Sequence, residues 1–132
     1  MNETGTRQGR LVELSADDCW ERVRSQPVGR IAWTGRDGIS VMPANFAVDG
    51  GDILIRTSPY AALALECADR EVAFEVDHVD PDQQAGWSVL LRGHCRREER
   101  ASDQPTPWAG GRRTLGLRIE VRAVSGRAVL AH

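Results

Sequence analysis

An alternating apolar run, Ile53-Leu54-Ile55, leads directly into Arg56, Thr57, Ser58 and Pro59. A guanidinium is a fork of donors and the two hydroxyls add more. Proline suits the first position of a helix, whose leading amides have no partner within the helix. Such a junction can grip a phosphate, so it points to a phosphorylated cofactor or ligand. The turn that follows, Tyr60-Ala61-Ala62, brings no further charge. Among the aromatic residues, Trp87 and Trp108 are the candidates for lying against a flat ring, and Trp87 has a polar neighbour in Ser88. Trp20 and Trp33 read as packing residues.

Other chemistries are excluded by type or spacing. All 17 basic residues are arginines, so neither a lysine Schiff base nor a lysine phosphate anchor is available. Cys19, Cys67 and Cys95 lie far apart with no C-x-x-C spacing, and they read as small buried apolar residues of a reducing compartment. His78 and His94 have no second histidine or cysteine at metal-ligand spacing, which leaves them surface or hydrogen-bonded roles and no metal site. Glu75, Asp77, Asp80 and Asp82 form a solvated acidic run without an evident acid/base pair. Gly86-Trp87-Ser88-Val89-Leu90 lacks the second glycine of a nucleophile elbow. A net charge of -2 gives no basic footprint for nucleic acid. No apolar run approaches the roughly 20 residues that span a bilayer. The expectation is a soluble cytoplasmic protein without membrane or nucleic-acid partners.

The elements that must position these residues can be read in order. Residues 1–10 are polar and expected to be flexible, leaving 11–132 as one domain. A helix is predicted from Ser15, where Ser15-Ala16-Asp17-Asp18 has capping-box form, to Pro27. Strands are predicted at 28–34, 39–48 and 52–57, separated by Arg36-Asp37-Gly38 and Asp49-Gly50-Gly51 turns. A short helix over 58–68 takes Ser58 as its cap and Pro59 as its first residue. Val72, Phe74 and Val76 alternate with Glu71, Ala73, Glu75 and Asp77 in the next strand. Trp87 to Arg97 follows as a long strand with Trp87, Val89, Leu91, Gly93 and Cys95 on one side. A loop over 98–113 carries Trp108, and Leu115 to Val124 is the last full strand, followed by Gly126 and a short apolar run over 128–130. The fold class is mainly β: six antiparallel strands in a barrel with two short helices.

The motifs Val28-Gly29-Arg30-Ile31-Ala32, Pro43-Ala44-Asn45-Phe46, Arg56-Thr57-Ser58-Pro59, Ala73-Phe74-Glu75-Val76-Asp77 and Gly86-Trp87-Ser88-Val89 come in this order and with these gaps. In both respects the chain resembles the pyridoxamine 5'-phosphate oxidase-like family of flavin-binding split barrels. The resemblance implies a six-stranded Greek-key split barrel, homodimeric, with FMN sites between subunits. It implies that the strand containing Val41, Pro43 and Asn45 offers backbone groups to the isoalloxazine ring. It further implies that Arg56, Thr57 and Ser58 hold the phosphate, that Trp87 and Ser88 lie against the flavin, and that Trp108 approaches from the partner subunit. Relatives follow the Arg-Thr-x-Pro junction with glycine, then serine or threonine, then lysine or arginine, where this chain has Tyr60, Ala61 and Ala62. Losing two charge-assisted bonds of about 1.5 to 3 kcal/mol each weakens FMN on the order of a hundredfold or more. Three readings follow. One is a flavin protein, with FMN or the deazaflavin F420, passing electrons to a small conjugated substrate. The second is a cofactor-poor dimeric barrel serving as a binding or regulatory module. The third is a haem-handling relative using His78 or His94.

Overall fold

The computed structural model describes residues 9–58, 61–98 and 115–131. In chain order the elements are β1 (Arg10–Glu13), α1 (Ala16–Arg24), β2 (Val28–Gly35), β3 (Gly38–Asp49), β4 (Asp52–Thr57), α2 (Ala62–Cys67), β5 (Arg70–Asp80), β6 (Ala85–Glu98) and β7 (Leu115–Leu130). All strand pairs are antiparallel, and the sheet order is β1-β7-β4-β3-β2-β5-β6. A further ladder between β7 and β6 closes the row into a barrel of six strands with β1 appended. The fold is mainly β, as the residue pattern predicts, and it is the split barrel that the family resemblance implies.

The barrel is filled by the inward residues of alternating strands. Ile31, Ile53, Ile55, Phe74, Val76, Val89, Leu91, Leu117 and Ile119 are buried in one cluster, with Phe46 edge-on to Phe74 at 5.1 Å between ring centroids. The helices add to this core rather than standing apart from it. Helix α1 begins at Ser15, whose hydroxyl accepts from the Asp18 amide at 3.1 Å, and it buries Cys19 and Val23 against β6 and β7. It comes so close to β7 that a Cβ on Gly126 would lie 2.7 Å from Cys19 Sγ. Helix α2 buries Leu63, Ala64 and Cys67 and packs on β2, β5 and β6. There Glu66 Oε1 accepts the indole N–H of Trp33 at 2.9 Å, so this buried tryptophan has its polar atom satisfied.

Two expectations are corrected. The first ordered element is the short strand β1, which pairs Arg10–Glu13 with Arg127–Leu130. Four residues carry too little alternation to be read, and their partner is at the far end of the chain. The last strand does not stop at Val124 but runs through Gly126 to Leu130. A bulge shifts the register along it: Arg92 pairs with Ala123 and Gly93 with Val121, leaving Arg122 as the extra residue. A side chain at Gly93 would meet the Glu120 carbonyl oxygen at 2.2 Å, so the close approach there requires glycine. No helix among the described residues is long and apolar enough to cross a membrane.

On the outside, Arg118 ties three strand segments together. Its guanidinium lies 2.7 Å from Asp49 Oδ2, 3.0 Å from Asp52 Oδ2 and 2.9 Å from Glu98 Oε1, with only 14% of the side chain exposed. These bonds hold its pKa above the ordinary arginine value. Arg118→Ala leaves three crowded carboxylates without their cation and is expected to lower the unfolding free energy by about 2–4 kcal/mol in denaturant titrations. Arg122→Ala breaks only an exposed pair with Glu71 and should cost less than about 1 kcal/mol.

Candidate functional site

Strand alternation divides the Arg56 junction. Ile53, Ile55 and Thr57 point into the barrel, and Thr57 is only 2% exposed. Arg56 is on the opposite side of β4, half-buried, as is Ser58 at the strand's end. The chain then turns, with the Ser58 carbonyl accepting from the Ala61 amide at 3.1 Å, before helix α2 begins at Ala62. Ser58 is therefore not the helix cap that its place before proline suggested. Ala61 holds the cap position in extended conformation with no side-chain bond, and α2 is anchored by the burial of Leu63, Ala64 and Cys67 instead. Tyr60 and Pro59 lie outside the described residues, as does Trp108 with the loop over 99–113.

Beside this junction runs an open strand edge. From Gly38 to Asn45, β3 pairs with β2 on one side, and only from Phe46 to Asp49 does it pair with β4 on the other. Among the described residues no strand pairs with the second edge of 38–44. Val41 is 62% exposed on this stretch, and Pro43 lacks the N–H that would let another strand add. Asn45 donates from Nδ2 to the Pro27 carbonyl at 3.4 Å. Phe46↔Ile55 is the end pair of the β3–β4 ladder, so Asn45 and Arg56 stand together just beyond it. The fold thus brings Val41, Pro43, Asn45, Arg56, Thr57 and Ser58 into one region.

Trp87 and Ser88 are on β6, which β2 and β5 separate from β3. Arg56 pairs with Gly116, which pairs with Glu98 at the end of β6, whereas Ser88 is at the start of β6 opposite Arg127. Across β2 and β5 the paired rows run Pro43–Arg30–Glu75–Leu90, so the start of β6 is about three strand spacings, roughly 14 Å, from the β3 edge. Trp87 and Ser88 line a groove of about 460 Å³ with Leu11, Val79, Gly86 and Val129. Ser88 and Arg127 also line a second groove of about 800 Å³ that continues over Glu75, Leu90, Arg92 and Ser125. Arg92 and Arg127 escaped the sequence analysis. The signal for Arg127 was the alternation Ala123, Ser125, Arg127, Val129, which continues the last strand past Gly126.

Residues 15–128 match the family model described as pyridoxamine 5'-phosphate oxidase. The chain belongs to this family. Uncharacterized protein Rv0080 of Mycobacterium tuberculosis is 28% identical over 92% of this chain and 87% of its own. The solved FAD binding protein of Mycobacterium smegmatis is 28% identical and superposes with a TM-score of 0.74, covering 90% of this chain and 98% of the other. A conserved protein of unknown function from Corynebacterium diphtheriae is likewise 28% identical, with a TM-score of 0.72 over 91% of this chain and 98% of its own.

This pyridoxamine 5'-phosphate oxidase family member carries a charged cluster on the outer face of its β2 and β5 strands. Arg30 Nη1 lies 3.0 Å from Glu75 Oε1 and 3.1 Å from Asp77 Oδ2. Burial raises the Glu75 carboxyl to about 7, aided by the hydrogen bond that protonated Glu75 donates to Asp77 and by the Asp77 charge, and the opposing pull of Arg30 does not cancel this. His94 is engaged by Glu71 at 2.9 Å, with Arg122 on the same carboxylate, and His78 is exposed. No cluster of three histidine, cysteine or acidic side chains among the described residues could hold a metal ion. Cys19, Cys67 and Cys95 are buried free thiols, and burial pushes the latter two up to about 12, so both stay protonated and unreactive.

Glu75 makes stability depend on pH. The native state keeps a proton up to about 7 that the unfolded chain releases near 4.5. Its contribution is therefore full below the lower value and lost as pH rises through the upper one. Carbon NMR should place the Glu75 titration near 7. Denaturation between about pH 5 and 8 should show stability falling with pH, a slope that Glu75→Gln reduces.

Proposed function

We propose that two copies of this chain form a homodimer that holds a flavin nucleotide between them and uses it in a redox reaction on a small conjugated substrate. The observation that carries this reading is the cationic junction beside the β3 edge, with Ile39 and Val41 exposed along that strand. Exposed apolar side chains on a sheet call for a covering surface, which a second copy supplies. The Trp87 groove is on β6, across β2 and β5 from that edge. The FAD binding protein of M. smegmatis, alike over nearly its whole length, supports flavin as the ligand.

The donor set fits the FMN moiety, whether free or as part of FAD. Arg56 supplies charge for the phosphate, Ser58 a hydroxyl, and the β3 strand at Val41 to Asn45 backbone groups for the ring's polar rim. Thr57 faces inward, so its contribution to a ligand comes through its backbone. The Trp87 groove gives an apolar wall for a flat ring or substrate, and Ser88 a hydroxyl beside it. A bound flavin supplies the electron transfer, while the protein binds, orients and excludes water. The deazaflavin F420 meets the same donors. Three free, buried cysteines suit a reducing cytoplasm.

A second reading rests on Ala61 and Ala62, which put no hydroxyl or cation at the start of α2. In that reading the dimeric barrel has lost its cofactor and acts as a binding or regulatory module. Titrations of FMN, FAD and F420 that follow cofactor fluorescence separate the two. The flavin reading expects saturable quenching, weakened about tenfold to a hundredfold in Arg56→Gln and strengthened in Ala62→Lys, on a chain that sediments as a dimer. Fluorescence unchanged by the protein for all three ligands decides for the second reading.

A further inference from the structure

We propose that the trough on the outer face of β6 and β7 is a binding site for the anionic group of a flat, aromatic ligand, with Arg92 and Arg127 as the residues that recognise the charge. Naming that ligand as the substrate rests on the flavin reading above. The site itself rests on geometry alone.

The register fixes the trough's floor. Arg127 is opposite Ser88, Ser125 opposite Leu90, and Ala123 opposite Arg92, and strand alternation turns all six to the same outer face. The two arginines therefore bracket a middle step that holds the Ser125 hydroxyl, with on the order of 13 Å of strand between them. Both line the groove of about 800 Å³, and neither makes an ion pair with a described residue. Beyond Arg127 the trough becomes apolar, where Leu11 and Val79 are each more than 60% exposed beside Val129. A ligand with a ring over Leu11, Val79 and Val129 and a phosphate, sulfonate or carboxylate at the arginine end matches both halves.

The acidic groups on this face do not cancel the arginines. Glu75 and Asp77 are both bonded to Arg30 on the neighbouring strand. Burial keeps the Glu75 carboxyl partly protonated near neutral pH. Glu71 is engaged by His94 and Arg122, Asp80 at the apolar end accepts from the Asp82 and Gln83 amides, and Glu13, opposite Arg127 on β1, is the remaining carboxylate of the larger groove.

Phenyl phosphate, benzoate and phenol serve as probes in calorimetric titrations of the full chain. Phenyl phosphate and benzoate should bind and phenol should bind at least about tenfold more weakly, since it offers the ring without the charge. Arg92→Gln and Arg127→Gln should each weaken phenyl phosphate about tenfold or more, and the double variant should lose it. Arg92→Lys with Arg127→Lys keeps charge without the fork and should retain part of the affinity, which also controls for folding. Equal binding of phenol and phenyl phosphate, unchanged affinity in the double glutamine variant, or no binding to the wild-type chain at millimolar concentration each overturns the proposal. Flavin titrations run separately keep the two readings apart. Arginine-dependent anion binding without flavin binding leaves the trough and removes the flavin. Flavin binding with arginine-independent phenyl phosphate does the reverse.

Discussion

The ladder between β6 and β7 turns a row of strands into a closed wall, and each candidate site residue takes its place from that closure. β7 is shared along its length. Its first half pairs with β4 and its last residues with β1, while β6 runs along the other edge for nearly the whole strand. Because side chains alternate, this one register decides at once that Leu117 and Ile119 fill the barrel and that Ser125 and Arg127 face outward. A bulge at Arg92 and Gly93 adjusts the phase between the two halves. It leaves Arg122 free to reach Glu71.

The closed wall divides labour between its surfaces. Inside, aliphatic and aromatic side chains exclude water, and the indole N–H of Trp33 has its acceptor in Glu66. Outside, charge is concentrated in discrete clusters. Arg118 neutralises three carboxylates near the β3–β4 turn, and Arg30 gathers Glu75 and Asp77. Between these clusters the face of β6 and β7 is left with serines, alanine and leucine flanked by arginines. That distribution is what makes the trough receptive rather than self-satisfied.

Local signals were clear wherever the physics was local. Ser15 capping α1, the clean alternation of Val72, Phe74 and Val76, and the Asp49-Gly50-Gly51 turn, where Gly50 has a positive φ of 65°, all stand as the residue types require. The Arg56 junction was legible too, because a strand that ends in donors can be recognised from type and order. Ser58 misled, because a proline after a serine favours a helix start only if nothing else competes. Here the chain made a turn first and began its helix where Leu63 and Cys67 could be buried.

The amino-acid order by itself determined the class of fold, the six barrel strands and the identity of a phosphate-competent junction, since periodicity, turn residues and side-chain chemistry act over a few positions. Only the tertiary structure decided that two strands separate the β3 edge from Trp87 and Ser88, that β1 joins β7, and that Arg92, Ser125 and Arg127 share a face. These are matters of register between strands distant in the chain. Register is set by the mutual fit of the whole closed barrel, which no segment carries alone.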